Sequence, residues 1–488
     1  MKYWLLPLLI FSINICYAQN GFDFDSDAAE MLIEESDASV NPAIDKNAIE
    51  YLLQKYIQIP SLSGKEKEAG DFIKDVCKKN GLIISEFGST DGNYNFAASV
   101  FPLSSKKPNI IFLNHLDVIP EGDDSENGAY SGKIINGEVY GRGAIDNKGA
   151  TMMQLYAMTR LLKTDAFKKG QYNVTFLSVS CEETQCEGGI KYVMDNYLEL
   201  LNPVVVIGEG PSELTSLIEG EFNHPIFGVS VAHKRTYWLH LELENNTSGH
   251  GSVTPLNYSN KSMVASLNKL TNKKNKTIFN ELNVNLLKSI AKHQKGLKRL
   301  MLNNPRFFKA FLVPQLRKQP ELYSLFSNTV TLTNIYTNSH SINKIPTKTE
   351  AYLDCRLLPS TDEDEFLNFI KKQLNNDAIK ITIVENMPVI KPSPIENVYY
   401  KNLKKAILDK YPDAEILPIM LPNVNDLGSF RAKNVLAYAS IPVYLTRDHI
   451  ESIHNKNEHI SVQALYDGTE VYYNFLRNML ALNETEAK

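Results

Sequence analysis

The sequence predicts an α/β fold, a doubly wound and mostly parallel sheet interrupted by an α+β insert. In the first half of the chain, short continuous apolar segments alternate with longer segments of helical periodicity. This alternation is typical of a parallel sheet that is covered by helices on both faces. From about Phe227 the segments instead alternate polar with apolar residues, as expected for a sheet open on one face. After about Glu385 the first pattern resumes, so one doubly wound domain with an insert is the simplest account.

The individual elements follow from periodicity and from turn residues. Helices are predicted at 47–56 and 65–79, and the segment between them is rich in Pro, Ser and Gly. The alternating region that follows contains strands at 110–113, 174–179 and 204–207 and helices at 148–162 and 190–201. The insert is predicted to contain strands at 237–243, 329–335 and 350–357, and the last part of the chain contains segments at 398–410 and 435–445 and a closing helix at 464–480.

Composition limits the class of protein. With 488 residues, 43% of them hydrophobic and 22% charged, the chain is typical of a soluble globular protein with two or three domains. The formal net charge of -5 is small for this length, so composition gives no reason to expect nucleic acid or an anionic membrane as a partner. Any basic site must be local. No segment is long and apolar enough to predict a stable membrane span.

The N-terminus is interpreted as an export signal. An apolar run at 4–11 is followed by the small residue Ala18, so 1–18 is predicted to be a signal peptide and the protein to be secreted or periplasmic. A lipoprotein signal that uses Cys16 is less favoured, because a bulky residue precedes it. The acidic segment 19–41 is predicted to be a leader or linker with little packed structure.

The cysteines are too few for a disulfide framework in a chain of this size. Cys181 and Cys186 are close enough in sequence to pair in an exported protein. Two free buried thiols are nevertheless the favoured interpretation.

Acidic and histidine residues closely follow the predicted parallel strands. Ligands bind at the carboxyl ends of the strands in open parallel sheets, so these side chains are expected to converge on one crevice. Asp146 lies in a Gly-rich segment just before a helix, where glycine permits tight backbone near an ion. The residues that follow strands are His115, Asp117, Glu182, Glu183 and Glu209.

One imidazole and several carboxylates form a set that suits Zn²⁺, or less specifically Mn²⁺ or Co²⁺. Without a cysteine cluster, a catalytic metal site is favoured over a structural one. Glu182 and Glu183 are adjacent and point in different directions, so one can bind a metal while the other accepts a proton from water. A single such pair is usually a solvated strand end, but four clusters at successive strand or loop ends favour a site.

These motifs resemble peptidase family M20, the di-zinc aminoacylase and carboxypeptidase family, which includes secreted N-fatty-acyl-amino-acid hydrolases. The resemblance runs from about Ile49 to Leu480. It includes the segment 453–460, which looks like the family's closing His-Gly-x-Asn-Glu motif with Asn455 in place of glycine. The resemblance implies that His115 and Glu209 bind one zinc, that Glu183 and His454 bind the other and that Asp146 bridges them. It also implies that Glu182 is the general base and that Asp117 orients His115. The peptide bond between Asp146 and Asn147 is implied to be cis. His449 and His459, on either side of His454, are interpreted as surface residues.

The resemblance also implies that the insert is a lid and dimerisation domain. The motif Ser-Gly-His-Gly-Ser at 248–252 looks like the family's lid motif, whose histidine, here His250, reaches an active site, often of the partner subunit, and stabilises an oxyanion. A capping or core role is the alternative. Asn343 and Arg356 match the residues that bind the substrate's terminal carboxylate. The alternative for Arg356 is a salt bridge within the lid.

One segment departs from the family pattern. Where many relatives have Thr-Asp-x-Arg, this chain has Asn425, Asp426, Leu427 and Gly428, so the aspartate matches and the arginine is missing. Arg431 and Arg356 are the candidates to replace it.

The resemblance implies a secreted, zinc-dependent hydrolase of exopeptidase or aminoacylase type that cleaves the amide bond next to a C-terminal amino acid. Short peptides and N-acyl amino acids both remain open as substrates. A homodimer through the lid and a monomer in which the insertion 273–327 covers that edge both remain open as assemblies. The apolar stretch 307–313 is interpreted as insert core rather than an acyl-chain site. An inactive relative acting as a binding protein is disfavoured, because Glu182 and the ligands are present. A zinc aminopeptidase would require a substrate with a free amino terminus.

The predicted boundaries combine these interpretations. After the signal peptide and the leader, the first part of the catalytic domain occupies 42–226, the lid 227–385 and the second part of the catalytic domain 386–488.

Overall fold

A computed structural model describes residues 48–122, 127–164, 170–215 and 224–486. Its strands are β1 (Ile83–Glu86), β2 (Phe96–Ser99), β3 (Asn109–His115), β4 (Ile134–Ile135), β5 (Glu138–Tyr140), β6 (Asn173–Val179), β7 (Pro203–Gly208), β8 (Ile226–His233), β9 (Arg235–Glu244), β10 (Gly249–His250), β11 (Thr329–Thr337), β12 (Lys344–Ile345), β13 (Lys348–Leu357), β14 (Lys380–Asn386), β15 (Glu415–Leu421), β16 (Leu436–Ala439) and β17 (His459–Ser461).

The helices are α1 (Ile49–Ile57), α2 (Lys67–Lys79), α3 (Lys148–Leu162), α4 (Ile190–Leu201), α5 (Ser259–Thr271), α6 (Glu281–Lys292), α7 (Gly296–Asn303), α8 (Lys309–Leu316), α9 (Pro320–Ser324), α10 (Glu363–Leu374), α11 (Val398–Lys410), α12 (Leu427–Ala432), α13 (Arg447–Ser452) and α14 (Val462–Glu486).

The larger sheet is mixed and mostly parallel. Its eight strands lie in the order β1-β2-β6-β3-β7-β16-β8-β15. The four central strands β6, β3, β7 and β16 run parallel to one another, and β15 runs parallel to β8. The edge strands β1 and β2 and the contact between β16 and β8 are antiparallel. The predicted α/β class is confirmed, and the antiparallel edge is an addition that periodicity did not predict.

Helices cover both faces of this sheet, because its central strands are apolar on both sides. Successive side chains of a strand point to opposite faces. Phe112 of β3 packs into a core shared with α1, α3, α11 and α14, whereas its neighbour Ile111 packs into a second core shared with α4 and α12. All seven residues of β3 are buried. A continuous apolar run therefore forms a central strand rather than a surface one.

The smaller sheet is antiparallel and has the strand order β11-β13-β9-β14. In β13 the side chains alternate between buried and half-buried along the whole strand. The buried side contacts apolar residues of α5 and α10, including Met263 and Ile370. The predicted insert with a sheet open on one face is thus present. Only Lys234 separates β8 of the larger sheet from β9 of the smaller one.

Helices α6, α7 and α8 lie within the segment predicted to form the lid, but they pack on the larger sheet. Leu286 and Ile290 of α6 share a core with Leu417 and Ile419 of the edge strand β15. The long helical insertion therefore covers the β15 edge of the larger sheet. In the stretch 307–313, Leu312 and Val313 are buried as insert core.

The predicted signal peptide at 1–18 and the acidic leader at 19–41 lie outside the described residues. Among the helices that the structure describes, none is long and apolar enough to cross a membrane.

The prediction of free thiols at Cys181 and Cys186 is wrong. The two cysteines form a disulfide, with Cα atoms 5.4 Å apart. Cys181, at the start of this six-residue loop, adopts a positive φ of 59°. Cys77 and Cys355 are free and buried.

Candidate metal centre

Three neighbouring parallel strands bring the predicted site residues to one edge of the larger sheet. His115 is the last residue of β3, Glu209 directly follows β7, and Glu182 and Glu183 lie in the loop after β6. Because β3 pairs with both β6 and β7, all three strand ends lie side by side. Asp146 reaches the same edge from the loop that precedes α3.

His115, Asp146 and Glu209 form the first set of candidate ligands. Nε2 of His115 lies 3.1 Å from Oδ1 of Asp146 and 3.0 Å from Oε2 of Glu209. The imidazole is buried, and both carboxylates are partly exposed. One nitrogen and two oxygens therefore face a common point at the rim of the crevice.

Asp146, Glu183 and His454 form the second set. Nε2 of His454 lies 3.2 Å from Oδ2 of Asp146 and 3.1 Å from Oε1 of Glu183. Asp146 thus turns one oxygen toward each set, and it is the residue that the sets share. His454 is supplied by the loop between α13 and β17, far along the chain from the other ligands.

The spacing of these atoms fits metal ions. Ligand atoms that lie 2.0–2.1 Å from a tetrahedral Zn²⁺ are separated from each other by about 3.3 Å. The measured separations of 3.0 to 3.2 Å between nitrogen and oxygen are close to that value. Carboxylates that face each other also repel, and a cation between them relieves this repulsion. The donor set therefore fits a pair of divalent cations bridged by Asp146.

Asp117 positions both the histidine and the loop that follows β6. The nearest acceptor for Nδ1 of His115 is the backbone carbonyl of Asp117, at 2.9 Å, and the Asp117 Oδ1 lies 3.4 Å away. The carboxylate also accepts hydrogen bonds from the backbone N–H groups of Glu182 and Glu183, at 2.9 and 3.1 Å. Burial opposes ionisation of Asp117, but His115 and these donors outweigh it and lower its pKa.

Glu182 faces a small crevice beside the first ligand set. The crevice is lined by Asn147, Glu209 and Asp426 as well as Glu182. Burial, followed by the charges of Glu209 and Asp426, raises the pKa of Glu182 well above its ordinary value. Burial also raises the pKa of Asp426 to about 8. A carboxylate with a raised pKa is a stronger base than a free glutamate, which suits a proton acceptor.

The loop that carries Asp146 is held by a carboxylate to which the sequence analysis assigned no role. Glu458 accepts hydrogen bonds from the backbone N–H groups of Gly143, Ile145 and Asp146, and its Oε2 pairs with Arg142 at 2.9 Å. The peptide bond between Asp146 and Asn147 is cis, as the family resemblance implies. In the sequence, Glu458 occupies the glutamate position of the closing motif, and this position was the signal for a role. A buried glutamate requires several hydrogen-bond donors.

The predicted lid residues His250 and Asn343 contact each other. His250 ends β10 and Asn343 directly precedes β12, which pairs with β10. Their side chains approach to 3.1 Å. Both are exposed. Within the described part of the chain, neither shows a hydrogen bond or ion pair to Glu182 or to the two ligand sets. The chain's own lid histidine is therefore not part of the cluster at the sheet edge.

The two candidate carboxylate-binding arginines are already engaged. Arg356 pairs in a bidentate manner with Asp354, at 2.7 and 3.0 Å, and donates to Thr236. Arg431 is buried and donates to the backbone carbonyls of Ala437 and Ser230, so it ties β16 to β8. Two of the three guanidinium nitrogens of Arg431 are thus committed to the sheet, and Arg356 would have to exchange its partner to bind a substrate carboxylate.

The prediction that His449 and His459 are surface residues is wrong. They are only 6% and 8% exposed, and their rings pack with centroids 4.6 Å apart. Nε2 of His449 lies 2.9 Å from Glu138, and Tyr140 stacks on His459. Antiparallel pairing of β17 with β5 brings these residues together, a long-range contact that periodicity does not reveal.

Comparisons with known proteins agree with this geometry. The model of peptidase family M20/M25/M40 matches residues 111–478. The bovine (Bos taurus) N-fatty-acyl-amino acid synthase/hydrolase PM20D1 is 26% identical over 451 residues, 88% of each chain. The M20 family metallo-carboxypeptidase Sso-CP2 from Sulfolobus solfataricus superposes with a TM-score of 0.65 at 21% identity, covering 89% of this chain and 99% of that one. Human carnosine dipeptidase 1 gives a TM-score of 0.64 at 16% identity, covering 89% and 96%.

Proposed function

Since the chain belongs to peptidase family M20/M25/M40 and is a hydrolase of that family, we propose that it cleaves the amide bond next to a C-terminal amino acid, with two zinc ions and Glu182 as general base. The observation that supports this proposal most is the position of Asp146. Its two carboxylate oxygens face two separate histidine and carboxylate sets. Glu182 belongs to neither set and shares a crevice with His115 and Glu209 of the first.

The ligands in this proposal are His115 and Glu209 for one ion, Glu183 and His454 for the other, and Asp146 for both. When bound, the two cations would polarise the substrate carbonyl and lower the pKa of the attacking water. Co²⁺ or Mn²⁺ would fit the same mixture of nitrogen and oxygen donors.

Glu182 carries the proton in this mechanism. Its carboxylate takes a proton from the attacking water and returns it to the nitrogen of the leaving amine, so that the tetrahedral intermediate collapses to acid and amine. Burial is the main cause that raises the pKa of Glu182, which helps the first transfer. Glu182 must be ionised to act, so activity is lost as the pH falls through its pKa.

The backbone around Glu182 is held firmly for this transfer. Asp117 accepts its N–H, Gln185 donates to its carbonyl, and the disulfide from Cys181 to Cys186 closes the loop. Such supports keep the carboxylate at the distance that proton transfer requires.

We propose that the lid histidine completes the site of a second subunit. His250 and Asn343 form an exposed polar pair that lies apart from their own chain's carboxylate cluster. In a dimer the imidazole of His250 would stabilise the oxyanion of the intermediate. The substrate's terminal carboxylate would be bound by Asn343 together with Arg356, which must then release Asp354.

N-fatty-acyl amino acids are a second candidate substrate, and the names of the relatives favour them. Bovine, human and mouse N-fatty-acyl-amino acid synthase/hydrolase PM20D1 each match 88% of this chain. The same cleavage chemistry would release the C-terminal amino acid together with a fatty acid, which takes the place of the N-terminal amino acid or peptide.

Export from the cytoplasm is supported by the disulfide between Cys181 and Cys186. Disulfides persist in oxidising compartments and are rare in the cytosol. This agrees with the signal peptide predicted at 1–18, and we propose a secreted or periplasmic location.

The proposed function is tested by a substrate panel on the zinc-loaded enzyme. Release of amino acid from Gly-Leu type dipeptides is compared with release from N-lauroyl amino acids and from amino-blocked dipeptides. Hydrolysis of blocked substrates is expected, and Glu182→Gln should abolish it. A requirement for a free amino group would instead identify an aminopeptidase, and inactivity on all three classes with zinc bound would refute the proposal.

A further inference from the structure

The helical insertion that covers the β15 edge exposes large apolar side chains. Leu297 and Leu300 of α7 are 67% and 50% exposed, and Phe307 and Phe311 are 84% and 67% exposed. The opposite side of the same segment is buried, because Leu302, Leu312 and Leu316 pack in the core against β15. The four exposed side chains therefore point away from the core. The exposure is thus a property of a folded surface.

The same segment carries only basic charge. No aspartate or glutamate lies between Glu281 and Glu321. Among the exposed residues around the four apolar side chains, Lys295, Lys298, Arg299 and Lys309 form no ion pair within the described part of the chain, and Arg306 reaches only a backbone carbonyl. The whole protein has a net charge of -5, so this segment differs in sign from the remainder.

We propose that this surface, residues 295–311, docks on anionic lipid membranes. We call it the basic-aromatic surface. Exposed Phe and Leu side chains interleaved with Lys and Arg are the chemistry that binds the interfacial region of a bilayer. The aromatic and aliphatic groups enter the boundary between headgroups and acyl chains, while the cations remain beside lipid phosphates.

Charge complementarity selects the occupant. A second copy of this surface would bring one set of lysines and arginines against another, and like charges disfavour such a dimer. An apolar ligand alone would leave the basic residues without a partner. An anionic lipid surface satisfies both the apolar and the charged side chains.

The position of the Phe307 ring suits insertion into a membrane. Its ring packs edge-to-face on Phe308, with centroids 4.9 Å apart, and Phe308 packs against the core under the insertion. Phe307 is therefore presented on a supported turn between α7 and α8. The inference concerns this surface alone and does not rest on the proposed hydrolase activity.

The test is sedimentation of the zinc-loaded, full mature chain with vesicles of phosphatidylcholine alone or mixed with phosphatidylglycerol. Two variants remove the two parts of the surface: Phe307→Ser with Phe311→Ser, and Lys298→Glu with Arg299→Glu. Matched controls alter similar residues elsewhere, Val264→Ser with Val389→Ser for exposed apolar groups and Lys404→Glu with Lys433→Glu for charge. Circular dichroism and the melting temperature show that each variant is folded.

The wild type is expected to bind the anionic vesicles and to bind neutral ones more weakly. Each surface variant should lower the partition coefficient by about tenfold or more. High salt should also lower the partition coefficient of the wild type. The controls should bind as the wild type does. Absence of vesicle binding, or equal binding by surface variants and controls, would overturn the proposal. Self-association that depends on Phe307 and Phe311 without vesicle binding would assign the surface to a second copy and overturn it as well.

Discussion

The Oδ1 atom of Asp117 accepts a hydrogen bond of 2.9 Å from the backbone N–H of Glu182. The other oxygen accepts from the N–H of Glu183, and the backbone carbonyl of Asp117 accepts from His115. One buried aspartate therefore links the end of β3 to the loop after β6. It fixes a candidate ligand of each ion and the proposed base relative to one another.

This arrangement predicts that Asp117→Asn reduces activity and metal affinity more than a surface substitution does. An amide has one accepting oxygen, so its NH₂ group must face one of the two backbone N–H donors, which moves the loop. We expect kcat/KM to fall about 10- to 100-fold and metal affinity to fall with it. Ser63→Ala is the matched control, because it removes only one donor to Asp117 and leaves both backbone contacts. Equal, small effects of both variants would argue against the positioning role.

The disulfide predicts a second effect on the same loop. Replacing Cys181 and Cys186 by Ser should reduce kcat about 10- to 100-fold, since small displacements of reacting groups are costly, and should lower the free energy of unfolding by about 2 kcal/mol. The wild type treated with dithiothreitol should behave as the double variant does. Cys355→Ala, a buried free thiol in the smaller sheet, is the control. An unchanged kcat after reduction would show that the loop holds its shape without the cross-link.

The exposed pair of His250 and Asn343 predicts activity shared between subunits. His250→Ala and Glu182→Gln should each be inactive as pure proteins. After subunit exchange the mixture should regain about a quarter of wild-type activity, because half of the dimers are mixed and each has one intact site. No recovery, together with light scattering that shows a monomer, would contradict the dimeric active site.

Lys234, the single residue between β8 and β9, predicts a pH dependence of stability. Burial lowers its pKa from 10.5 to about 7, and among the described residues Thr329 is the only side-chain partner of its ammonium group. At pH values between these two pKa values, the unfolded chain binds a proton that the folded chain lacks. The free energy of unfolding therefore rises with pH, by up to about 1.4 kcal/mol per pH unit.

The variant Lys234→Met should remove this slope and be more stable than the wild type at neutral pH. Urea unfolding at pH 7, 8 and 9 measures both effects. Parallel pH profiles for the two proteins would mean that Lys234 remains charged in the folded state.

Much of the larger domain was predictable, because its elements are bounded by local signals. Helices α3 and α4 lie at the residues that periodicity predicts, and β3 is the continuous apolar run before His115. Sequence distance hid other features. Strand β15 pairs with β8, and Pro418 interrupts its apolar run, which is unusual within a strand. The burial of His449 and His459 depends on the pairing of β17 with β5.

In the candidate site, too, some features had local sequence signals and others depended on contacts between distant segments. The residue types at the strand ends indicated the chemistry, because ligands of open parallel sheets bind at the carboxyl ends of the strands. The contacts that position them involve backbone groups, as with Asp117 on the loop after β6 and Glu458 on the loop before α3. Backbone N–H directions depend on the fold and are not encoded by a local motif.

The most direct measurement is the metal content and activity of Glu182→Gln beside the wild type. If Asp146 bridges two ions and Glu182 is outside both ligand sets, elemental analysis should find two zinc ions per chain in both proteins. The variant should have the same metal affinity but a kcat at least about 100-fold lower. Loss of metal from Glu182→Gln, or retention of full activity by it, would contradict the assignment of Glu182 as the base.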